Sequence, residues 1–210
     1  LFRSPFDDKA IAKFLKAIQG HPYENLYLLA LFTGMRESEI LGLKWADVSF
    51  GNGTIYICRQ LQRVNGEYRF QSPKSGKTRT LFPAPSVMDA LRRERIRQAE
   101  WKLQAGAAWE NDNELVFTNQ VGRHLSAQTV YLYFKKLATS IGCPDARFHD
   151  LRHSYAIAAL QSGDDIKTLQ ENLGHHAAAF TLDTYAHVTQ TMKQESANRM
   201  ESFILRVASS

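Results

Sequence analysis

Only two cysteines, Cys58 and Cys143, occur in 210 residues. They share no CxxC or other metal-ligand spacing, so a disulfide scaffold is excluded and both read as reduced thiols of a cytoplasmic protein. Long hydrophobic runs are missing as well. The longest, Leu26 to Phe32 with Tyr27 inside it, is far too short to span a bilayer, and no signal peptide is visible. Internal repeats and low-complexity tracts are absent. No close set of Asp and Glu has metal-site spacing, and neither a Walker motif nor a glycine-rich nucleotide fingerprint occurs. The expectation is therefore chemistry with no cofactor and no metal. Acidic residues are in deficit, 21 against 26 Lys and Arg, for a net charge of +5. That balance favours a polyanionic partner without identifying one. The chain opens at Leu1 without a methionine and reads as a piece of a longer protein.

What is present is ordinary globular composition, 44% hydrophobic and 22% charged, with length for one good core or two small ones. Asp7 or Asp8 can cap a helix carrying Ile11, Phe14, Leu15 and Ile18 on one side, which Gly20 stops. Pro22 can start a second helix, apolar on most sides. Gly34 can close it in a left-handed turn, which puts Arg36 at the start of the next helix. There Arg36 is either a phosphate clamp at a natural anion site or a surface arginine paired with Glu39. Pro85 to Ala105 reads as a long helix with a solvated face of mixed charge. Leu115-Val116-Phe117 reads as a short extended piece. Further helices are expected from Ser126 to Ile141, His149 to Gln161, Asp164 to Asn172 and Gln190 to Val207, and the segment around Tyr185 also reads as helical.

Between Thr54 and Phe82 the period changes. Thr54 to Cys58 is β-branched and aromatic, while Glu67 to Phe70 and Arg79 to Phe82 alternate polar and apolar. Asn65-Gly66 and Ser75-Gly76 are turn signals. A three-stranded antiparallel sheet is predicted. Its basic residues are Arg59, Arg63, Arg69, Lys74, Lys77 and Arg79, against one acid, Glu67. They fit either a solvated edge or a DNA-facing hairpin with Lys74 and Lys77 at the tip.

The chemistry concentrates between Phe148 and Tyr185. His149 and Arg152 are three apart, so a helix presents both on one face. An imidazole that moves protons near neutral pH, beside a guanidinium that grips two oxygens at once, suits a phosphate diester. A second histidine lies in the Leu173-Gly174-His175-His176 turn, and Tyr185 follows ten residues after His175. His149 and His153 have a spacing that can bind zinc, but HDLRH lacks the glutamate of HExxH. Taken singly, Tyr185 is more often a half-buried aromatic, and His149 more often a core histidine with its bonds satisfied.

TGMRESEILGLKW, PKSGKTRTLF, HDLRHSYA and LGHH followed by TLDTYAHV stand in this order along nearly the whole chain. Together they resemble the catalytic domain of the tyrosine recombinases, the integrases of phages and conjugative transposons. The resemblance implies a fold of the α+β class, mainly α: a helical catalytic domain, residues 1–210, with a small three-stranded antiparallel sheet. It implies that Tyr185 attacks a DNA phosphate to form a 3′-phosphotyrosine, with Arg36 and Arg152 holding the non-bridging oxygens. His149 would take the tyrosine proton. Lys74, or Lys77 if the hairpin register differs, would protonate the leaving 5′-oxygen. His175, or His176, would donate a hydrogen bond to the phosphate, and Glu39 and His153 would support the site. The implied partners are double-stranded DNA, other protomers in a tetrameric active complex, and an accessory DNA-bending protein, with no membrane. An N-terminal core-binding domain would lie outside this chain. Two other readings are a type IB topoisomerase, which shares this chemistry, and a basic DNA-binding module with none.

Overall fold

A computed structural model describes residues 6–73, 76–174 and 188–208, with the side chains of 188–193 and 195 left out. It divides into two units, Leu1–Tyr155 and Ala156–Ser210. No helix among the described residues is long and apolar enough to cross a membrane.

The first unit starts with α1 (Asp8–Ala17), and the expected cap is Asp7, whose carboxylate accepts the Ala10 N–H at 2.7 Å. Helix α2 (Glu24–Thr33) begins two residues later than Pro22 suggests, because Glu24 N–H first closes a turn onto the His21 carbonyl at 2.9 Å. It buries Leu26, Tyr27, Leu29, Ala30 and Leu31, which matches its unbroken apolar run. Around Tyr27 the rings of Phe14, Phe134 and Phe148 gather with centroids 5.8 to 6.2 Å away, in tilted and edge-on geometry. Phe134 comes from α5 (Ala127–Ser140) and Phe148 from α6 (Phe148–Gln161), so one aromatic cluster joins four segments of the chain. The Phe6 N–H adds a tether, donating to Ser154 Oγ on α6 at 2.9 Å.

Helix α4 (Pro85–Ala105) has the predicted bounds. Its charged outer face is solvated at Arg92, Arg93 and Arg95, but Glu94 turns inward and is fully buried. There Glu94 accepts from Asn25 at 2.9 Å and from Arg97. One turn on, the buried Gln98 carboxamide donates to the carbonyls of Leu115 and Val116 at 2.8 and 3.0 Å. That contact fixes the Leu115–Phe117 segment, which forms an isolated bridge to Lys44. The buried stripe of α4 thus turns polar where it must satisfy backbone.

The sheet differs in membership from the sequence expectation. Three antiparallel strands are present, but they are β1 (Val48–Ser49), β2 (Thr54–Ile57) and β5 (Arg79–Leu81), in that order. The Glu67–Gln71 strand, β4, pairs instead with β3 (Gln60–Val64) as a separate hairpin across Asn65-Gly66. Val64 pairs with Glu67, leaving a two-residue turn with both residues at positive φ, the geometry Asn-Gly favours. QLQRV carries too many polar residues to announce itself as a strand, and its partners are chosen by the turn.

In the second unit, α7 (Ile166–Leu173) is capped by Asp165, which accepts the Lys167 and Thr168 N–H groups at 2.9 Å, and ends at Gly174 in the left-handed region. The last helix, α8, runs Val188–Ala208. The predicted helix around Tyr185 lies outside the described residues.

Candidate active site

The site is built on the turn that follows α2. Gly34 takes φ +62°, where glycine carries no steric penalty. The chain re-enters a helix at once: Arg36 is the N-cap of α3 (Glu37–Leu41). The Arg36 N–H donates to Glu39 Oε2 at 2.9 Å, and its guanidinium Nη1 donates to Glu39 Oε1 at 2.9 Å. Arg79, from β5, adds two more bonds to the same carboxylate, Nη1 to Oε1 at 2.9 Å and Nη2 to Oε2 at 2.7 Å. Four donors therefore fill the acceptor capacity of a carboxylate that is 1% exposed. Burial alone would raise the Glu39 pKa. The bonds and charge of Arg79, then those of Arg36, outweigh it and bring the pKa down to about 2.

Both alternatives offered for Arg36 are thus compatible. Its pairing with Glu39 engages the terminal Nη1, while the side chain keeps 19% of its exposure. Arg79 had counted as one of six basic residues on a hairpin. It is instead an internal strut, and Arg59 and Arg69 are also paired, with Asp47 and Glu67. Lys77 is exposed in the β4–β5 connection.

Helix α6 starts by the same device. The Arg147 N–H is taken by Asp150, three residues on, at 2.8 Å, repeating the Arg36–Glu39 spacing. Arg152, one turn into α6, is 4% exposed and donates through Nη1 to the Gly34 carbonyl. The Arg152 guanidinium is thereby tied to the turn that leads into Arg36. His149 lies beside them. Burial, then the charges of His153, Arg152 and Arg36, lower its pKa to about 4, with Asp150 opposing. It is therefore a neutral imidazole near neutral pH, able to accept a proton. The His153 ring meets it edge-on at 4.9 Å. Burial and the charges of Arg152 and Arg147 lower the His153 pKa as well, against Asp150. Among the described residues no group of three or more His, Cys, Asp or Glu side chains is placed to hold a metal ion.

The structure brings together Arg36, His149 and Arg152 of the six site residues expected from sequence. Lys74, His175 and Tyr185 lie outside the described residues, as does His176. Two residues were missed. Arg79 gave no signal, because its partner is 40 positions away. Glu37 lines a cavity of about 70 Å³ with Met35, Phe148, His149, Leu151 and Arg152, and only its place next to Arg36 could have drawn attention to it.

The phage integrase family model matches residues 5–192. The chain belongs to the phage integrase family. The resemblance carried by the four sequence boxes is borne out, as is the mainly helical fold with small antiparallel sheets. A XerC-like tyrosine recombinase of Caldanaerobacter subterraneus subsp. tengcongensis is 34% identical over 212 residues, covering 95% of this chain and 54% of that protein. The ICEBs1 integrase of Bacillus subtilis is 24% identical over 196 residues, 87% of this chain and 49% of its own length. This integrase-family chain thus spans about half the length of the curated relatives it matches. Its fold matches that of the Tn1549 transposon integrase, solved in complex with transposon right end DNA. The TM-score is 0.80 at 24% identity, over 95% of this chain and 66% of the other.

For an integrase-family chain the described geometry has a plain chemical meaning. Two permanent cations held by a carboxylate and a carbonyl, next to a neutral imidazole, can bind an oxyanion and accept a proton.

Proposed function

We propose that residues 1–210 are the catalytic domain of a site-specific DNA recombinase that cuts and rejoins strands through a 3′-phosphotyrosine on Tyr185. One observation carries this reading: Arg36, held by Glu39, and Arg152, held by Gly34, lie beside a neutral His149. A phosphodiester resists attack because its oxygens repel the nucleophile. Two preorganised guanidiniums neutralise the charge that grows in the pentacoordinate state, and a donor of this kind is worth about 10²–10³ in rate. A phenol of pKa about 10 must also lose its proton, and His149 is the acceptor. Lys74, or Lys77, gives a proton to the departing 5′-oxygen, and His175, or His176, donates to the phosphate. The phosphotyrosine conserves the energy of the broken bond, so neither ATP nor a metal is required. A 5′-hydroxyl from a partner duplex then completes strand exchange.

Duplex DNA bearing a specific site is the proposed substrate, acted on in the cytoplasm. The DNA-bound Tn1549 integrase of like fold supports it. Recombination needs several protomers, and a tetramer with an accessory DNA-bending protein is the proposed assembly. On α8, Met200, Phe203, Ile204 and Val207 form an i, i+3, i+4, i+7 stripe, each at least 50% exposed, which supports docking onto a neighbouring protomer. Relatives named as recombinases and integrases favour strand exchange over relaxation.

The test has two stages. Sequencing the junctions made in cells gives the site. A nicked suicide duplex carrying that site should then yield a covalent protein–DNA band with the wild type and none with Tyr185→Phe. Tight binding without the band would instead identify a DNA-binding module, and rapid relaxation of plasmid lacking the site a topoisomerase.

A further inference from the structure

We propose that the cleft between the β3–β4 hairpin and residues 110–124 binds an unpaired nucleotide of DNA. The inference goes beyond the catalytic reading and takes from it only that the polyanion is DNA. The whole cleft lies within the first unit, Leu1–Tyr155. Its volume is about 320 Å³, at the small end of the range of ligand pockets, which suits a ligand of mononucleotide size.

The register of the hairpin makes one wall aromatic. Leu61 pairs with Phe70 and Arg63 with Tyr68, so these side chains leave the same face. Leu61 is buried, while Phe70 keeps 37% of its exposure. Opposite stand His124, whose ring centroid is 4.2 Å from that of Tyr68, and the carboxamides of Asn111 and Asn113. Asn111 is spent on Leu115, accepting its N–H at 2.8 Å and donating to its carbonyl at 3.0 Å. Asn113 accepts a single long bond, 3.4 Å, from the Lys44 ammonium, and its NH2 group is open to a base edge.

Charge decides what enters. Glu110 is the one acid among the lining residues, and Arg123 cancels it with two bonds of 2.7 Å. Among the described residues neither Lys44 nor Arg63 meets a carboxylate. The Lys44 ammonium lies 4.5 Å from the Phe70 ring centroid, and Arg63 Nε donates to the Gly66 carbonyl at 3.1 Å. An ammonium has three donors, and this one has a long hydrogen bond and an aromatic face. A phosphate is a stronger partner than either. Moving to a phosphate takes the ammonium off Phe70 and leaves that ring for a base to stack on. A base inside a duplex is already stacked and paired, so only an unpaired one can enter. An apolar peptide would leave Lys44 unmatched, and an acidic one would leave the rings uncovered. Strand exchange frees unpaired nucleotides once a strand is cut, and the cleft would hold one of them.

The experiment measures the fluorescence anisotropy of a labelled single-stranded oligothymidylate bound by the 210-residue chain, against a duplex of the same length. Phe70→Leu keeps an apolar side chain without the ring, and Lys44→Gln removes the charge. Arg69→Gln, on the other face of the hairpin, is the control. Single-strand affinity should fall about tenfold or more in Phe70→Leu, the worth of one base on an aromatic ring, and duplex affinity far less. Lys44→Gln should flatten the salt dependence of single-strand binding. Arg69→Gln should keep the wild-type discrimination between the two DNA forms. Equal losses for both forms in Phe70→Leu would overturn the proposal. A second reading needs no variant to fold: oligothymidylate added to ¹⁵N-labelled wild type should shift the amide resonances of Leu61, Phe70, Asn113 and His124. Shifts confined to other segments would refute the cleft, and preference for an oligouridylate of equal length would overturn the assignment to DNA. A wild type that forms the covalent band with the suicide duplex yet fails to bind the single strand refutes this inference alone. Single-strand binding without the band supports the cleft and counts against the recombinase reading.

Discussion

Glu39 and Arg79 form a buried two-point ion pair across 40 positions of sequence, with the arginine side chain 8% exposed and the carboxylate fully enclosed. The same carboxylate holds Arg36, so a contact between α3 and β5 fixes the direction of a proposed phosphate-binding guanidinium. Removing one partner of such a pair leaves the other buried and uncompensated. Glu39→Ala is therefore expected to destabilise the chain by about 3–5 kcal/mol. Replacing both Glu39 and Arg79 by apolar residues of similar volume should cost less than the two single changes together. Urea unfolding of the four proteins in this cycle measures it, and additive losses would contradict the pairing.

Stability should also depend on pH in a defined direction. Glu39 has its folded pKa lowered to about 2, so its contribution is complete above the ordinary 4.5 and is lost as pH falls towards 2. His149, lowered from 6.5 to about 4, loses its contribution as pH falls through that window. Glu37 acts the other way. Its raised pKa gives stability that is full below 4.5 and is lost as pH rises through about 7. Between pH 6.5 and 4 the two opposing contributions separate by mutation: urea midpoints of Glu37→Gln should fall more steeply than those of wild type as pH drops, and those of His149→Gln less steeply. Glu37→Gln should gain stability relative to wild type at pH about 8 and not at about 4. A gain equal at both values would remove the titration argument.

The helices were legible because their ends carry local chemistry. Asp7, Gly34, Pro85 and Gly174 each signal a boundary through a side chain or a backbone preference that acts within a few residues, whereas the helix expected from Asp164 is capped one residue later, by Asp165. The strands were less so. Which strand joins β2 depends on pairing between residues 22 or more positions apart, and no local pattern in QLQRV or EYRFQ states that they prefer each other. The same division holds at the site. Arg36, His149 and Arg152 stand in spaced motifs, and the structure gathers them. What holds them was hidden: Glu39 saturated by Arg79, and the Gly34 carbonyl taken by Arg152 from 118 positions away. Long-range tethers leave no periodic trace. Glu37 is one acid among the alternating charges of RESE, and only burial distinguishes it.

The β3–β4 hairpin sits against α3 more closely than a side chain allows. A Cβ on Gly42 would lie 2.7 Å from the Leu61 nitrogen and 2.9 Å from the Gln60 carbonyl carbon, both backbone atoms. Its φ of −94° is accessible to any residue, so space and not conformation requires glycine here. Gly42→Ala should push β3 off α3, break the Ser38–Gln60 bond and lower stability by about 1–3 kcal/mol. Amide exchange should rise in Gln60–Val64 and in Glu37–Leu41 together, and not in α4. Unchanged exchange in both segments would contradict so close an approach.

Arg152 distinguishes charge from geometry. It donates to the Gly34 carbonyl, and its five N–H groups form a planar fork that matches the geometry of a phosphate. A lysine has the charge but not the planar fork. Arg152→Lys should leave DNA affinity and its steep salt dependence almost intact, because counterion release counts charges. Single-turnover cleavage should fall by about 10²–10³, the worth of an oxyanion donor present only in the pentacoordinate state. Arg152→Ala should lose both, with an additional stability loss from the unpaired Gly34 carbonyl. Equal cleavage by the lysine variant and the wild type would mean that Arg152 acts as a point charge, and the case for bidentate phosphate binding at this position would be lost.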